Sequence, residues 1–253
     1  MPQSLRRGVI FGRSVHRAFQ EYRKKMAAAR RPLTRVEQAE WLHHSCLRCL
    51  AALDITVSVQ GSVPDGGLIV SNHLSYLDIL CYSSVAPCIF VSKSDVRQWP
   101  VFGRLATNGG TIYVDRESKA DARRVAKLME DTLKSGVRVV LFPEGTSSDG
   151  GSVMRFHAPL FESAVQAGVV ITPAALLYQM SHGDPARDVC YWGDMTFGTH
   201  FLKLLSKGQV RAKIKLGPSR ECFSDRKVAS SIMRNDVVAL HTRLREEHRR
   251  SKL

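Results

Sequence analysis

The sequence contains no apolar run of the roughly 18–20 residues that a bilayer-spanning helix requires. Its N-terminus has no signal-peptide core or cleavage site. Cysteine is sparse: Cys46, Cys49, Cys81, Cys88, Cys190 and Cys222 are scattered, four of them within or beside apolar runs where they act as small hydrophobes. That usage fits a reducing compartment. Cys46-Leu47-Arg48-Cys49 follows His43 and His44, but no second ligand pair at zinc-site spacing exists, so no metal is expected. There is no RNA-binding aromatic signature, zinc-finger spacing or helix-turn-helix cue, so nucleic acid is not expected as a partner. Internal repeats, low-complexity tracts and long linkers are also missing; the only Gly/Ser-rich stretch is residues 147–151.

Acidic residues are nearly missing from one region. Residues 1–36 hold ten Lys/Arg and a single acid, Glu21, and account for +9 of a formal net charge of +14; residues 241–253 add +3. The 204 residues between are close to neutral. Two basic ends on a neutral body suit a polyanionic surface, and an anionic membrane is the expected one. Phe11, Val15, Ala18, Phe19, Tyr22 and Met26 recur at helical spacing among cations, the profile of an interfacial amphipathic helix over residues 1–32. The competing reading is a helix docked on its own domain with a solvated basic face. Pro32 ends the segment, and Thr34 with Glu37 reads as a capping box for a second helix over 35–52. Residues 1–53 are therefore read as a basic, membrane-docking helical hairpin, which places the protein on the cytoplasmic face of a membrane. Residues 54–253 are read as the catalytic domain. Ser251-Lys252-Leu253 matches a peroxisomal address and matters only in a eukaryote.

From residue 54 the pattern alternates. Strands are expected at 55–59, 68–70, 88–91, 110–114, 137–142, 169–177, 189–192 and 210–216. Helices are expected to about 85, at 100–106, to 135, at 159–167, around 201–205 and over 225–248. The alternation predicts an α/β fold with a mostly parallel central sheet flanked by helices. His73, Lys93, Arg116 and Glu144 each follow a strand read as buried, at the carboxyl ends where open α/β sheets bind ligands. In Ser71-Asn72-His73-Leu74-Ser75-Tyr76-Leu77-Asp78, a His and a carboxylate lie five positions apart, where a strand turns into a helix. Such a carboxylate can hold an imidazole in one tautomer and make it a general base. The competing reading is a surface His beside a helix-capping Asp.

Asn72-His73-Leu74-Ser75-Tyr76-Leu77-Asp78 resembles the Asn-His-x4-Asp block of the glycerolipid acyltransferases, typified by lysophosphatidic acid (1-acylglycerol-3-phosphate) acyltransferase. Gly110–Arg116, Phe142-Pro143-Glu144-Gly145-Thr146 and Val170–Ala174 are similar to their second, third and fourth blocks, in order, across about residues 66–180. Phe90–Lys93 and Phe102-Gly103 also fit. The resemblance implies acyl transfer from acyl-CoA or acyl carrier protein to a lysolipid hydroxyl, without metal or further cofactor. His73 is then the base and Asp78 its orienting partner. Asn72, Lys93, Arg116, Glu144, Gly145 and Thr146 are the substrate-binding set, with Arg116 on an acceptor phosphate. Ser147-Ser148-Asp149-Gly150 departs from the Arg that many members carry after Glu-Gly-Thr. Phe156-His157-Ala158-Pro159 departs from their Phe-Lys-x-Gly stretch, leaving Arg155 as the nearby cation. The Ser-Asp-Gly form, with Cys190–Met195 further on, is similar to lyso-ornithine lipid acyltransferases, so a different lysolipid acceptor stands as the alternative. A thioesterase using the same pair on water is the other.

Overall fold

A computed structural model describes residues 3–115, 119–221 and 223–250. Arg116, Cys222 and Ser251–Leu253 lie outside the described residues, so the expected phosphate contact of Arg116 and the C-terminal tripeptide have no structural account here. Two long helices come first, α1 (Gln3–Ala29) and α2 (Arg35–Leu53). The expected capping box opens α2: Thr34 Oγ1 accepts from Glu37 N–H while the Glu37 carboxylate accepts from Thr34 N–H at 2.7 Å. Glu37 also holds Arg31, and these contacts bring its carboxyl down to about 2.

The remaining elements alternate: β1 (Ile55–Gln60), β2 (Leu68–Ser71), α3 (Leu77–Val85), β3 (Cys88–Lys93), α4 (Phe102–Asn108), β4 (Ile112–Val114), α5 (Lys119–Lys134), β5 (Arg138–Leu141), α6 (Glu162–Ala167), β6 (Ile171–Met180), α7 (Pro185–Asp188), α8 (Phe197–Ser206), β7 (Val210–Leu216) and α9 (Arg226–Arg250). The sheet order is β1-β7-β6-β2-β5-β3-β4, parallel except for the β6–β7 pair. The mostly parallel α/β fold is thus as expected. β1, with its alternating burial, lies at one edge, paired with β7.

Burial follows the pleat. Leu68 and Val70 of β2 face a cluster with α5 and α9; Ile69 faces the opposite cluster, made with α1, α2, α3 and α8. With both faces covered, every residue of β2 is buried, so it sits at the centre, between β5 and β6. Gly67 precedes it at φ +85, where an added Cβ would stand 2.5 Å from the Val170 carbonyl oxygen; only glycine permits that approach.

Residues 189–192 form no strand. Asp184 caps α7 by accepting from Ala186 N–H, Pro185 starts its first turn, and the chain then leaves as a loop with Val189 and Cys190 buried. The backbone donor of Tyr191 goes to the Leu74 carbonyl at 2.8 Å instead of to a strand. An apolar-polar pattern therefore records burial beneath the site here, not a ladder. On α9 the inward stripe is Ala229, Met233, Val237, Leu240 and Leu244, while Val228 is exposed.

The apolar stripe of α1 is spent on the protein itself. Phe11, Val15 and Ala18 are buried in the same cluster as Leu77, Phe102 and Leu176. Trp41 of α2 is a packing residue, 1% exposed, with its indole N–H donating to the Ala18 carbonyl at 2.9 Å and Tyr22 edge-on to its ring. Replacing such a buried indole by alanine costs about 3–5 kcal/mol. Arg7, also buried, ties α1 to Asp54 at 2.6 Å and to the Lys207 carbonyl. The competing reading, a helix docked on its own domain, describes the inner face of α1. Its outer face carries Leu5, Val9 and Ile10 among exposed Arg6, Arg13, Arg23 and Lys24. Among the described residues, no helix is long and apolar enough to cross a membrane.

Candidate active site

Three parallel strands deliver side chains to one rim. His73 follows β2, Lys93 ends β3, and Glu144-Gly145-Thr146 follow β5. Because β2, β5 and β3 are neighbours, these loops leave the sheet side by side. A cavity of about 210 Å³ opens there, lined by His73, Lys93, Gly145, Thr146 and Ser147, with walls that include Tyr76, Trp99, Phe142 and Tyr191.

His73 and Asp78 meet. Nδ1 of His73 lies 2.7 Å from Asp78 Oδ2. The same oxygen accepts from Leu74 N–H at 2.7 Å and Ser75 N–H at 3.1 Å, and Oδ1 accepts from the Tyr178 hydroxyl at 2.7 Å. Asp78 is fully buried, in the first turn of α3, where a negative charge is favoured. The helix-capping reading of Asp78 is corrected: Tyr76 is the N-cap of α3 and has no side-chain cap, while Asp78 Oδ2 closes the turn before the helix through Leu74 and Ser75 N–H and contacts the imidazole with the same oxygen. A carboxylate so fully paired accepts the Nδ1–H, which fixes the tautomer and leaves Nε2 of His73 as the basic nitrogen. The ring stacks on Phe142 at 4.3 Å between centroids, and Phe142 stacks in turn on Phe90. The backbone is held too: the His73 carbonyl accepts from Ser148 N–H at 2.9 Å.

The other expected site residues divide. Lys93, Gly145 and Thr146 line the cavity with His73, and Lys93 is the cation among the described lining residues. Gly145 takes φ +74 and donates its N–H to the Phe142 carbonyl at 3.1 Å, turning the chain sharply at the cavity rim. Asn72 is buried away from that lining. Its side-chain oxygen accepts from Leu176 N–H at 2.8 Å and its NH2 donates to the Leu176 carbonyl at 3.0 Å, which makes it a clamp between β2 and β6. Glu144 is buried behind the rim, with Oε1 accepting from Met154 N–H at 3.2 Å and Oε2 without a hydrogen-bond partner among the described residues. Burial raises its carboxyl to about 8, against the Met154 and His73 N–H groups that lower it. Arg155 is exposed and does not line the cavity.

Several contributors were not legible as site residues. Tyr178 sits in an apolar strand, and nothing in the sequence marks its hydroxyl as the partner of Asp78. Burial pushes its ionisation well above the ordinary phenol range, so it stays a donor. Tyr76 packs edge-on against Phe102, Phe197 and Tyr191, and its hydroxyl pairs with His200 Nδ1 at 3.0 Å. Ser147, at the position of the expected Arg, donates its hydroxyl to the Tyr191 carbonyl and so fixes the far wall. Cys46 and Cys49 are buried thiols whose ionisation is pushed up, that of Cys49 to about 12, which disfavours the thiolate a metal needs. Among the described residues, no group of three or more His, Cys, Asp or Glu could hold a metal ion.

The acyltransferase family model matches residues 54–177, which include His73, Asp78, Lys93 and Glu144 through Thr146. A 1-acyl-sn-glycerol-3-phosphate acyltransferase of Neisseria gonorrhoeae is 36% identical over 155 residues, covering 56% of this chain and 61% of that protein. The match to that relative thus spans less than two thirds of its length. A lyso-ornithine lipid O-acyltransferase of Rhizobium meliloti is 37% identical over 193 residues, 70% of this chain and 66% of the relative. Its counterpart in Brucella abortus is 34% identical over 187 residues, 68% of this chain and 70% of that one. The crystal structure of a 1-acyl-sn-glycerophosphate acyltransferase from Thermotoga maritima has the same fold, with a TM-score of 0.64 at 19% identity over 92% of this chain and 88% of that one. The ordered strand-end residues, the agreement in fold and the coverage of the Brucella relative lead to one assignment: this chain belongs to the acyltransferase family.

Proposed function

We propose that the protein is a lysolipid O-acyltransferase working at an anionic membrane surface, with His73 as general base and Asp78 as its orienting partner. The observation that carries the reading is the His73–Asp78 contact at the mouth of an apolar-walled cavity with Lys93 on its rim. Nε2 of His73 takes the proton of the acceptor hydroxyl as its oxygen attacks the thioester carbonyl of acyl-CoA or acyl carrier protein. The tetrahedral intermediate collapses, the carbon–sulfur bond breaks, and the thiol leaves with the proton returned from His73. No acyl-enzyme forms, and no metal or cofactor beyond the acyl donor takes part. General-base catalysis supplies about 10²–10⁴-fold; alignment of hydroxyl and thioester in the cavity supplies much of the rest. The relatives' names point to 1-acylglycerol-3-phosphate or lyso-ornithine lipid as acceptor. Ser147 bonded to Tyr191, in place of a cation, favours including the second. The outward Leu5, Val9 and Ile10 within a cationic face fit attachment at the cytoplasmic face of a membrane.

The test is transfer from labelled acyl-CoA and acyl carrier protein to a panel of lysolipids. Wild type is expected to exceed His73→Ala by about 10²–10⁴-fold on at least one acceptor. Equal background in both proteins overturns the reading, and fatty acid released regardless of lysolipid assigns a hydrolase instead.

A further inference from the structure

A second opening lies along the loop that carries the rim, with none of its lining shared with the His73 cavity. It is a groove of about 380 Å³ between residues 151–153 and one stripe of α9. The stripe presents Arg234, His241, Thr242, Arg245 and Arg249, with Glu246 the acid beside them. Three guanidiniums against one carboxylate give the groove a clear positive balance. Two of the cations are held in place by the loop: Arg234 donates to the Met154 and Val153 carbonyls at 2.8 and 2.9 Å, and Arg245 donates to the Gly151 carbonyl. Each keeps further N–H groups for a ligand. His241 is 4% exposed and its Nε2 has no hydrogen-bond partner among the described residues. The loop links this groove to the reaction centre, since Ser148 N–H holds the His73 carbonyl and Met154 N–H holds Glu144.

We propose that this groove binds the phosphates of the acyl donor, the adenosine 3′,5′-bisphosphate end of acyl-CoA. The assignment rests on the acyltransfer reading above. A clustered, backbone-anchored set of guanidiniums is the geometry that recognises phosphate oxygens. The choice between donor and acceptor follows from where their phosphates sit. The phosphate of a lysophosphatidate is on the carbon next to the reacting hydroxyl, so it must stay inside the His73 cavity, near Lys93. The phosphates of acyl-CoA are separated from the thioester by the whole pantetheine arm, so they need an anion site outside the cavity. A groove lined by residues 151–153 and α9, separate from the cavity lining, meets that requirement.

Arg249 is the cation to change, because it is exposed and, among the described residues, the loop carbonyls are held by Arg234 and Arg245 instead. Titration of the full chain with adenosine 3′,5′-bisphosphate is expected to show the same affinity in wild type and His73→Ala. Arg249→Ala should weaken it about tenfold, with recovery in Arg249→Lys. In turnover, Arg249→Ala should raise KM for acyl-CoA by a similar factor and leave kcat and the acceptor KM unchanged. An acyl donor lacking the 3′-phosphate should lose most of that sensitivity. Equal binding by wild type and Arg249→Ala overturns the proposal. So does displacement of the nucleotide by glycerol 3-phosphate more readily than by pyrophosphate, which assigns a lipid headgroup. Binding of acyl carrier protein without the nucleotide, lost in Arg249→Ala, overturns it in favour of a protein partner. A chain that binds the nucleotide through Arg249 yet acylates no lysolipid retires the acyltransfer reading and leaves the site. A chain that acylates a lysolipid with an Arg249-independent KM retires the site and leaves the reaction.

Discussion

The Tyr178 hydroxyl donates to Asp78 Oδ1 at 2.7 Å, so the carboxylate that orients His73 is itself gripped from the neighbouring strand β6. Tyr178→Phe keeps the packing and deletes that bond together with the longer contact to Cys81 Sγ at 3.7 Å. The buried carboxylate loses a donor, which costs about 1–3 kcal/mol of stability by thermal unfolding. With the imidazole less tightly aimed, kcat is expected to fall about tenfold while KM holds. An unchanged kcat in Tyr178→Phe leaves Tyr178 only a packing role.

Glu144 predicts a pH dependence of stability. Burial raises its carboxyl from an ordinary 4.5 to about 8. Between those values the folded protein keeps a proton that the unfolded chain has released. Stability therefore declines as pH rises from about 4.5 to about 8 and levels off above. The decline attributable to this group is roughly 2–5 kcal/mol. Glu144→Gln, which keeps an acceptor for Met154 N–H, is expected to flatten that part of the curve in urea unfolding at a series of pH values.

Ser147 tests acceptor choice. Ser147→Arg places a guanidinium at the cavity lining and removes the tie to the Tyr191 carbonyl. A charge-assisted contact to phosphate is worth about 1.5–3 kcal/mol. The ratio of kcat/KM for 1-acylglycerol-3-phosphate over lyso-ornithine lipid is expected to rise by about 10–100-fold. An unchanged ratio places the phosphate of the acceptor elsewhere.

The outer face of α1 tests surface attachment without disturbing the core. Arg13→Glu, Arg23→Glu and Lys24→Glu together leave Phe11, Val15 and Ala18 in place. Each cation near an anionic leaflet contributes about 1 kcal/mol, so co-sedimentation with phosphatidylserine vesicles should fall by at least tenfold. Wild-type binding should weaken with salt, and binding to neutral phosphatidylcholine vesicles should change little. Vesicle binding unaffected by the triple change removes the electrostatic docking claim.

The alternating apolar segments and turn residues determined the α/β layering, because a strand buried on both faces must read as a continuous apolar run and a helix packed on it must read with period 3.6. The Asn72–Asp78 spacing likewise determined the His73–Asp78 contact, since a tight turn between a strand and a helix leaves the two side chains few other places to go. Tertiary structure alone decided the rest. Asn72 sits beside His73 in the chain, yet its amide faces β6 because the Leu176 backbone needs partners there. Residues 189–192 carry a strand-like pattern, yet they close the site as a loop because Leu74 and Ser147 take the Tyr191 backbone groups. The stripe of α1 reads as a membrane face, yet its inner side is covered by α2, α4 and α8, since apolar surface is buried by whichever partner is nearest. Tyr178 joins Asp78 across 100 positions of sequence, and only the pairing of β2 with β6 brings them together.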